Sequence, residues 1–221
     1  KTVAWIIEQF QAVGLEPAGD LVGGKRGWTQ AVPLLRAEIE GKPSLTLDVA
    51  GKPQSLTQGE EIAVRASLDG AKAVDIANAP LVFAGYGVKA PERGWDDFKG
   101  LDAKGKILVV LINDPDFETG EGAFGGKAMT YYGRWTYKFE EAARQGAKAC
   151  IIVHDDVPAG YGFWVVQNSW NTSKLYLDAR GKDQYVCPAV GWISQPSAKK
   201  LFEAANIDYA DALSRAHKRG F

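Results

Sequence analysis

The sequence predicts an α/β fold organised around a strand, a crossover helix and a second strand, and three observations carry that prediction. Residues 107–112, Ile-Leu-Val-Val-Leu-Ile, are apolar without interruption, as expected of a strand covered on both faces. Trp135, Phe139, Ala142 and Ala143 then recur at helical spacing and stop at Gly146. Residues 149–153, Ala-Cys-Ile-Ile-Val, repeat the uninterrupted apolar pattern, and a strand, helix, strand unit of this kind is right-handed by the general rule.

The remaining elements follow in order. Val3, Ile6, Ile7, Phe10 and Val13 sit at helical spacing before Gly14, which predicts an amphipathic helix over 1–13. From Trp28 to about Asn78 the pattern changes to short runs such as Ser44-Leu-Thr-Leu-Asp-Val, separated by Gly-Lys pairs at 41–42 and 51–52. That reads as an antiparallel meander. Pro80 to Val88 reads as a strand and Pro91 to Asp97 as a turn. A Gly-rich loop fills 114–133, and an aromatic loop fills 161–170. Pro188 to Ile193 reads as a last strand, followed by two helices begun by Ser194 with Pro196 and by Asp208.

Composition narrows the function classes. The 221 residues are 46% hydrophobic and 24% charged, ordinary for a globular chain with a sizeable core. Twenty-six Lys and Arg against 27 Asp and Glu leave no basic surplus for a run of phosphates, so nucleic acid is not an expected partner. No apolar run reaches the length of a membrane span. The chain opens without Met inside a helical pattern and reads as an excerpt or processed product. Cys150 and Cys187 each lie in an apolar run and read as buried small hydrophobes in preference to a disulfide.

The candidate chemical motifs are weak when weighed one at a time. Residues 122–127, Gly-Ala-Phe-Gly-Gly-Lys, lack both the first glycine and the hydroxyl of a phosphate loop, and Gly85-Tyr-Gly87 lacks the rest of a dinucleotide fingerprint. His154-Asp-Asp156 has the His-x-Asp form that begins several zinc sites. A working centre needs three or four ligands and a base, yet His217 is the one other histidine, and no Glu occurs between Glu141 and Glu203. His154 therefore reads as a loop-capping or solvent-facing side chain. The pairs Asp96-Asp97 and Glu140-Glu141 read as a solvated turn and a solvated helix face. On the central helix, Trp135, Phe139 and Ala143 are expected to pack on the sheet while Lys138, Glu141 and Arg144 face water.

Several motifs in one order carry a resemblance. They are Phe83-Ala-Gly-Tyr-Gly-Val, Trp95-Asp-Asp-Phe-Lys-Gly-Leu-Asp-Ala-Lys-Gly-Lys-Ile-Leu-Val-Val-Leu, Asn113-Asp-Pro, Tyr131-Tyr-Gly-Arg-Trp-Thr-Tyr-Lys-Phe-Glu-Glu-Ala and Gly146-Ala-Lys-Ala-Cys-Ile-Ile-Val-His-Asp. Together they resemble the protease-associated (PA) domain, in the version inserted into bacterial di-zinc aminopeptidases related to glutamate carboxypeptidase. Leu15-Glu-Pro-Ala-Gly-Asp and Trp28-Thr-Gln-Ala-Val-Pro-Leu resemble the start of the peptidase domain that precedes the insertion.

The resemblance implies a curved mixed sheet, partly barrel-like, with flanking helices. It divides the chain into a peptidase-domain piece, 1–45, and the PA domain, 46–221. It also implies a non-catalytic accessory or lid domain of a zinc-dependent, secreted or periplasmic aminopeptidase. The zinc ligands and general base would lie in the catalytic domain beyond this chain, so the chain itself is expected to hold no cofactor and no catalytic residue. Its partners would be that catalytic domain and a peptide substrate. A free-standing peptide-binding PA module is the alternative.

The loops 114–133 and 155–175 follow the two strands of the crossover unit and should emerge on one side. Tyr131, Tyr132, Arg134 and Trp164 are the expected substrate-facing residues, with Arg134 as a partner for a peptide carboxylate. The competing reading has Tyr132 and Trp164 covering the edge of the core.

Overall fold

The structure is a computed structural model describing residues 1–49, 51–67, 71, 73–178, 181 and 185–220. In chain order its elements begin with α1 (Thr2–Ala12), β1 (Leu21–Val22), β2 (Lys25–Arg26), β3 (Leu34–Ala37), β4 (Leu45–Val49), β5 (Lys52–Leu56), β6 (Ile62–Ala66) and β7 (Leu81–Phe83). They continue with β8 (Lys89–Ala90), β9 (Trp95–Asp96), β10 (Ile107–Leu111), α2 (Trp135–Arg144), β11 (Ala149–His154), α3 (Asp156–Ala159) and α4 (Phe163–Trp170). The last are β12 (Lys174–Leu177), β13 (Ala189–Ser194), α5 (Gln195–Ala204) and α6 (Tyr209–Ala216). Short 3-10 turns precede β9 at Pro91–Arg93 and α2 at Tyr131–Gly133.

The chain divides into two compact units, Lys1–Arg36 with Leu175–Asp178, and Ala37–Lys174 with Ala179–Phe221. In the first unit α1 forms where its spacing predicts, and Gly14 follows it at φ +79°. No residue of α1 is buried. Phe10 meets Trp28 with ring centroids 6.4 Å apart, and β1 and β2 make a small antiparallel hairpin.

The second unit is built on one five-stranded sheet in the order β6-β13-β11-β10-β7. Strands β7, β10, β11 and β13 run parallel, and β6 closes one edge antiparallel. Both β10 and β11 are buried at every residue. Side chains alternate along a strand, so Ile107, Val109, Leu111, Ile151 and Val153 enter one apolar layer with Phe202 and Ala212 of α5 and α6. Leu108, Val110, Cys150 and Ile152 enter the opposite layer with Phe139, Val166 and Trp170 of α2 and α4.

Four expectations need correction. The sheet is open, and no barrel closes among the described residues. The region 28–78 is not one meander: β4 pairs with β5, β3 pairs with β12, and β6 pairs with β13. Positions 50, 68–70 and 72 of that region lie outside the described residues. Residues 163–170 form a helix, because Phe163, Val166 and Trp170 share one face and pack on the sheet. Finally, α2 buries Tyr137, Lys138, Phe139, Glu141 and Ala142. At 100° per residue that arc spans about 200° and is centred on Lys138.

Cys150 and Cys187 are buried and free. Ala149 pairs with Ala189, so the register places Cys187 opposite Ala147, three residues or about 10 Å along the strand from Cys150. Bridging them would require the backbone to move.

Candidate functional site

Because β10 and β11 are parallel, the loops that follow them emerge at one edge of the sheet. Asn113 begins the first loop with φ +72°, a left-handed turn that Asn tolerates. Its Nδ2 donates to the Pro158 carbonyl at 2.6 Å, which joins the loop after β10 to α3 after β11. Lys138, on α2, donates from Nζ to the carbonyls of Tyr86 at 2.6 Å and Asn113 at 2.9 Å. One buried ammonium thus fastens the turn after β7 and the loop after β10 to the crossover helix.

Carboxylates organise the rest of this edge. Asp114 accepts from the Thr130 backbone N–H at 2.6 Å and the Thr130 hydroxyl at 2.8 Å, pinning the far end of the 114–133 loop. Gly133 passes so close that an added Cβ would sit 3.0 Å from Asp114 Oδ1. Asp116 Oδ2 accepts from Phe124 N–H at 2.7 Å. A Cβ on Gly122 would lie 2.6 Å from that same oxygen. Asp97 accepts from Val88 N–H at 2.9 Å and from Trp95 Nε1 at 2.7 Å.

Burial governs the protonation of this network. It pushes Asp97 up to about 6, against the pull of the Val88 and Trp95 donors and of Lys138. It pushes Lys138 down to about 8, against the attraction of Asp114 and Asp97. Asp114 also rises through burial, opposed by its bonds to Thr130. Asp97 is therefore not a solvated turn residue, and neither Lys138 nor Glu141 faces water. Glu141 accepts from Arg144 Nε and Gln145 Nε2, each at 2.7 Å.

The four residues expected to face substrate are placed differently from one another. Tyr131 is exposed and donates its hydroxyl to Glu140 at 2.7 Å. Tyr132 is half-buried, donates to Glu92 at 2.7 Å and meets Tyr137 edge-on with centroids 4.8 Å apart, so its ring covers the core. Arg134 is exposed at the N-cap of α2, and no side-chain partner is present among the described residues. Trp164 is 64% exposed in the first turn of α4. Trp135 meets Trp170 edge-on with centroids 6.2 Å apart, while Trp164 sits six residues before Trp170, about 9 Å back along the helix axis. Tyr131 and Tyr132 share Tyr137 as a neighbour.

No protein-family model and no curated protein matches the chain. Among solved structures the chain is similar to the aminopeptidase from Aneurinibacillus sp. strain AM-1. The identity is 19%, covering 92% of this chain and 34% of that one, at a TM-score of 0.31. The chain thus spans about a third of the length of that aminopeptidase.

Among the described residues no three His, Cys, Asp or Glu side chains group so as to hold a metal ion, and no helix is long and apolar enough to cross a membrane. The parallel strands β7, β10, β11 and β13 follow one another across the sheet in sequence order. That order lacks the reversal at which open α/β sheets part to form a ligand crevice.

His154 is neither a cap nor solvent-facing: it is 1% exposed against Tyr161, Phe163 and Trp192. His217 Nδ1 lies 2.9 Å from the Pro115 carbonyl and 3.2 Å from the Tyr86 hydroxyl, where it ties α6 to the loop after β10. Sequence reasoning misses the role of Lys138. The available signal is the pair Tyr137 and Phe139, which bracket it on the helix.

Proposed function

We propose that this chain is a non-catalytic accessory domain of a zinc-dependent aminopeptidase, with a sheet edge that faces the peptide and the catalytic domain. The supporting observation is that edge itself. Two loops joined through Asn113 and Pro158 present an exposed Tyr131, an exposed Trp164 and an Arg134 guanidinium that is free to meet a carboxylate. The PA-domain resemblance of the sequence motifs supplies the peptidase context, the zinc of the catalytic domain and the secreted or periplasmic setting.

Two measurements test this reading. The coding sequence beyond residue 221 is expected to reach His-x-Asp and then Glu-Glu motifs. One that stops, or enters a membrane span, would turn the reading toward a free-standing peptide-binding module. In the longer enzyme, Arg134→Ala and Trp164→Ala are expected to lower kcat/KM with zinc content and thermal midpoint unchanged. Unchanged kinetics in both variants would return the edge to the scaffold.

A further inference from the structure

His154 closes β11 inside an aromatic box. The rings of Tyr161, Phe163 and Trp192 stand 5.3, 5.4 and 5.7 Å from the imidazole, centroid to centroid. Its Nδ1 lies 3.2 Å from Asp156 Oδ1 but off the line that a hydrogen bond needs, so neither ring nitrogen has a hydrogen-bond partner among the described residues. The neighbouring Trp192 Nε1 is also buried and has no partner among the described residues. Polar nitrogens enclosed without partners are costly, and the penalty is far larger for a charged ring than for a neutral one.

The wall over this box is thin. Residues 155–163 consist of the one-turn α3, Gly160 at φ +80° and the start of α4, with Val157 72% exposed and the Asp156 side chain 68% exposed. Among the described residues two side-chain hydrogen bonds fasten the wall outside the box: Asn113 Nδ2 to the Pro158 carbonyl, and Gln195 Nε2 to Asp155 Oδ2. Neither of them involves the imidazole.

We infer that His154 and the segment 155–163 form an acid-sensitive latch. Protonation of the imidazole favours an open state in which the segment lifts, the ring reaches water and Trp192 is uncovered. The charged and titratable groups around the ring are Asp155, Asp156 and Tyr161 on the segment itself. From β13 it faces Trp192 and Ser194, which do not titrate in this range, and α4 contributes Phe163. Arg65 of β6 stacks on Trp170, the next ring beyond Trp192.

Burial holds His154 below its ordinary 6.5, with Asp156 and Asp155 pulling the other way. The open state, with its ring in water, binds the proton more readily. The closed state is therefore fully favoured above about pH 6.5 and loses ground as the pH falls below it. If only the open state binds the proton, the open to closed ratio rises about tenfold between pH 7.5 and 5.5, which sets the ceiling.

The test is amide hydrogen exchange on the 221-residue chain, expressed as protection factors so that the intrinsic pH dependence divides out. Protection at 155–163 is expected to fall several-fold from pH 7.5 to 5.5 while α2 holds constant, and to become pH-independent in His154→Phe. A wild-type segment whose protection does not change over this range overturns the proposal, whether or not the variant folds. So does an equal fall in the variant. The imidazole resonances give a second readout, since the chain has two histidines and His217→Gln identifies them. His154 is expected to titrate below the ordinary value and in step with the loss of protection, and titration at the ordinary value with the segment unchanged overturns the latch.

Discussion

Replacing Lys138 with Met removes a buried charge while nearly preserving shape, and the structure indicates where the effect will appear. Two carbonyls, those of Tyr86 and Asn113, lose their donor. Each buried acceptor left alone costs about 1–3 kcal/mol. Against this, the variant is spared a charge whose pKa burial has moved from 10.5 to about 8. At 1.36 kcal/mol per pH unit that penalty is about 3 kcal/mol. At pH 7 the two effects oppose each other, so the gap between wild type and variant should be within about 3 kcal/mol.

The pH dependence is the sharper expectation. Between pH 8 and 10.5 the unfolded wild type keeps the Lys138 proton while the native state gives it up. Raising the pH through that window therefore favours native wild type, whereas the thioether of the variant has no proton to exchange. Wild type should gain about 3 kcal/mol on Lys138→Met across the window, other titrations cancelling in the difference. Urea unfolding of both proteins at pH 7, 8, 9 and 10, read by far-ultraviolet circular dichroism, measures it. A gap that stays constant with pH would refute the buried, carbonyl-held lysine.

Three further outcomes are expected. Asp97 is held up to about 6 from 3.8, so wild type should gain on Asp97→Asn by about 2 kcal/mol as the pH falls from 6 to 4, readable in the same urea midpoints. Phe139→Ala empties a site between Trp135 and Trp170 and should cost about 3–5 kcal/mol, and an unmoved denaturation midpoint would contradict its place in the core. Gly191→Ala would thrust a Cβ to 2.6 Å from the Ala63 carbonyl and 2.8 Å from Val64 Cα in the adjacent strand. It should cost about 2 kcal/mol or more, with exchange of the β6 amides rising first.

What the sequence discloses and what it hides follow from the range of the interactions involved. The strands β10 and β11 are legible because burial on both faces leaves an unbroken apolar run, and Ser194 and Asp208 are legible as caps because capping is local. The partners of β3 and β6 are distant in sequence, and nothing within either strand names β12 or β13. Lys138 is misread when the apolar arc is drawn through Trp135 and Ala143. Counting Tyr137 turns the arc by about a quarter of the helix and places Lys138 at its centre. At the candidate site, sequence position locates Arg134 and Trp164 on the edge where the loops after β10 and β11 emerge. It does not reveal that the Tyr132 ring lies against Tyr137, nor that His154 is enclosed by rings drawn from two different elements.

The antiparallel edge between β6 and β13 bears on how the chain is made. Ile62 pairs with Ile193 and Ala66 with Ala189, so about 120 residues separate the two halves of that ladder. At about 5–20 residues per second a ribosome needs roughly 6–25 s to travel from one to the other. During that time β6 has a complete hydrogen-bonding edge and no partner, while β7, β10 and β11 can already associate in order. Nascent chains stalled before β13 should bind chaperones through β6, and those stalled after α5 should not.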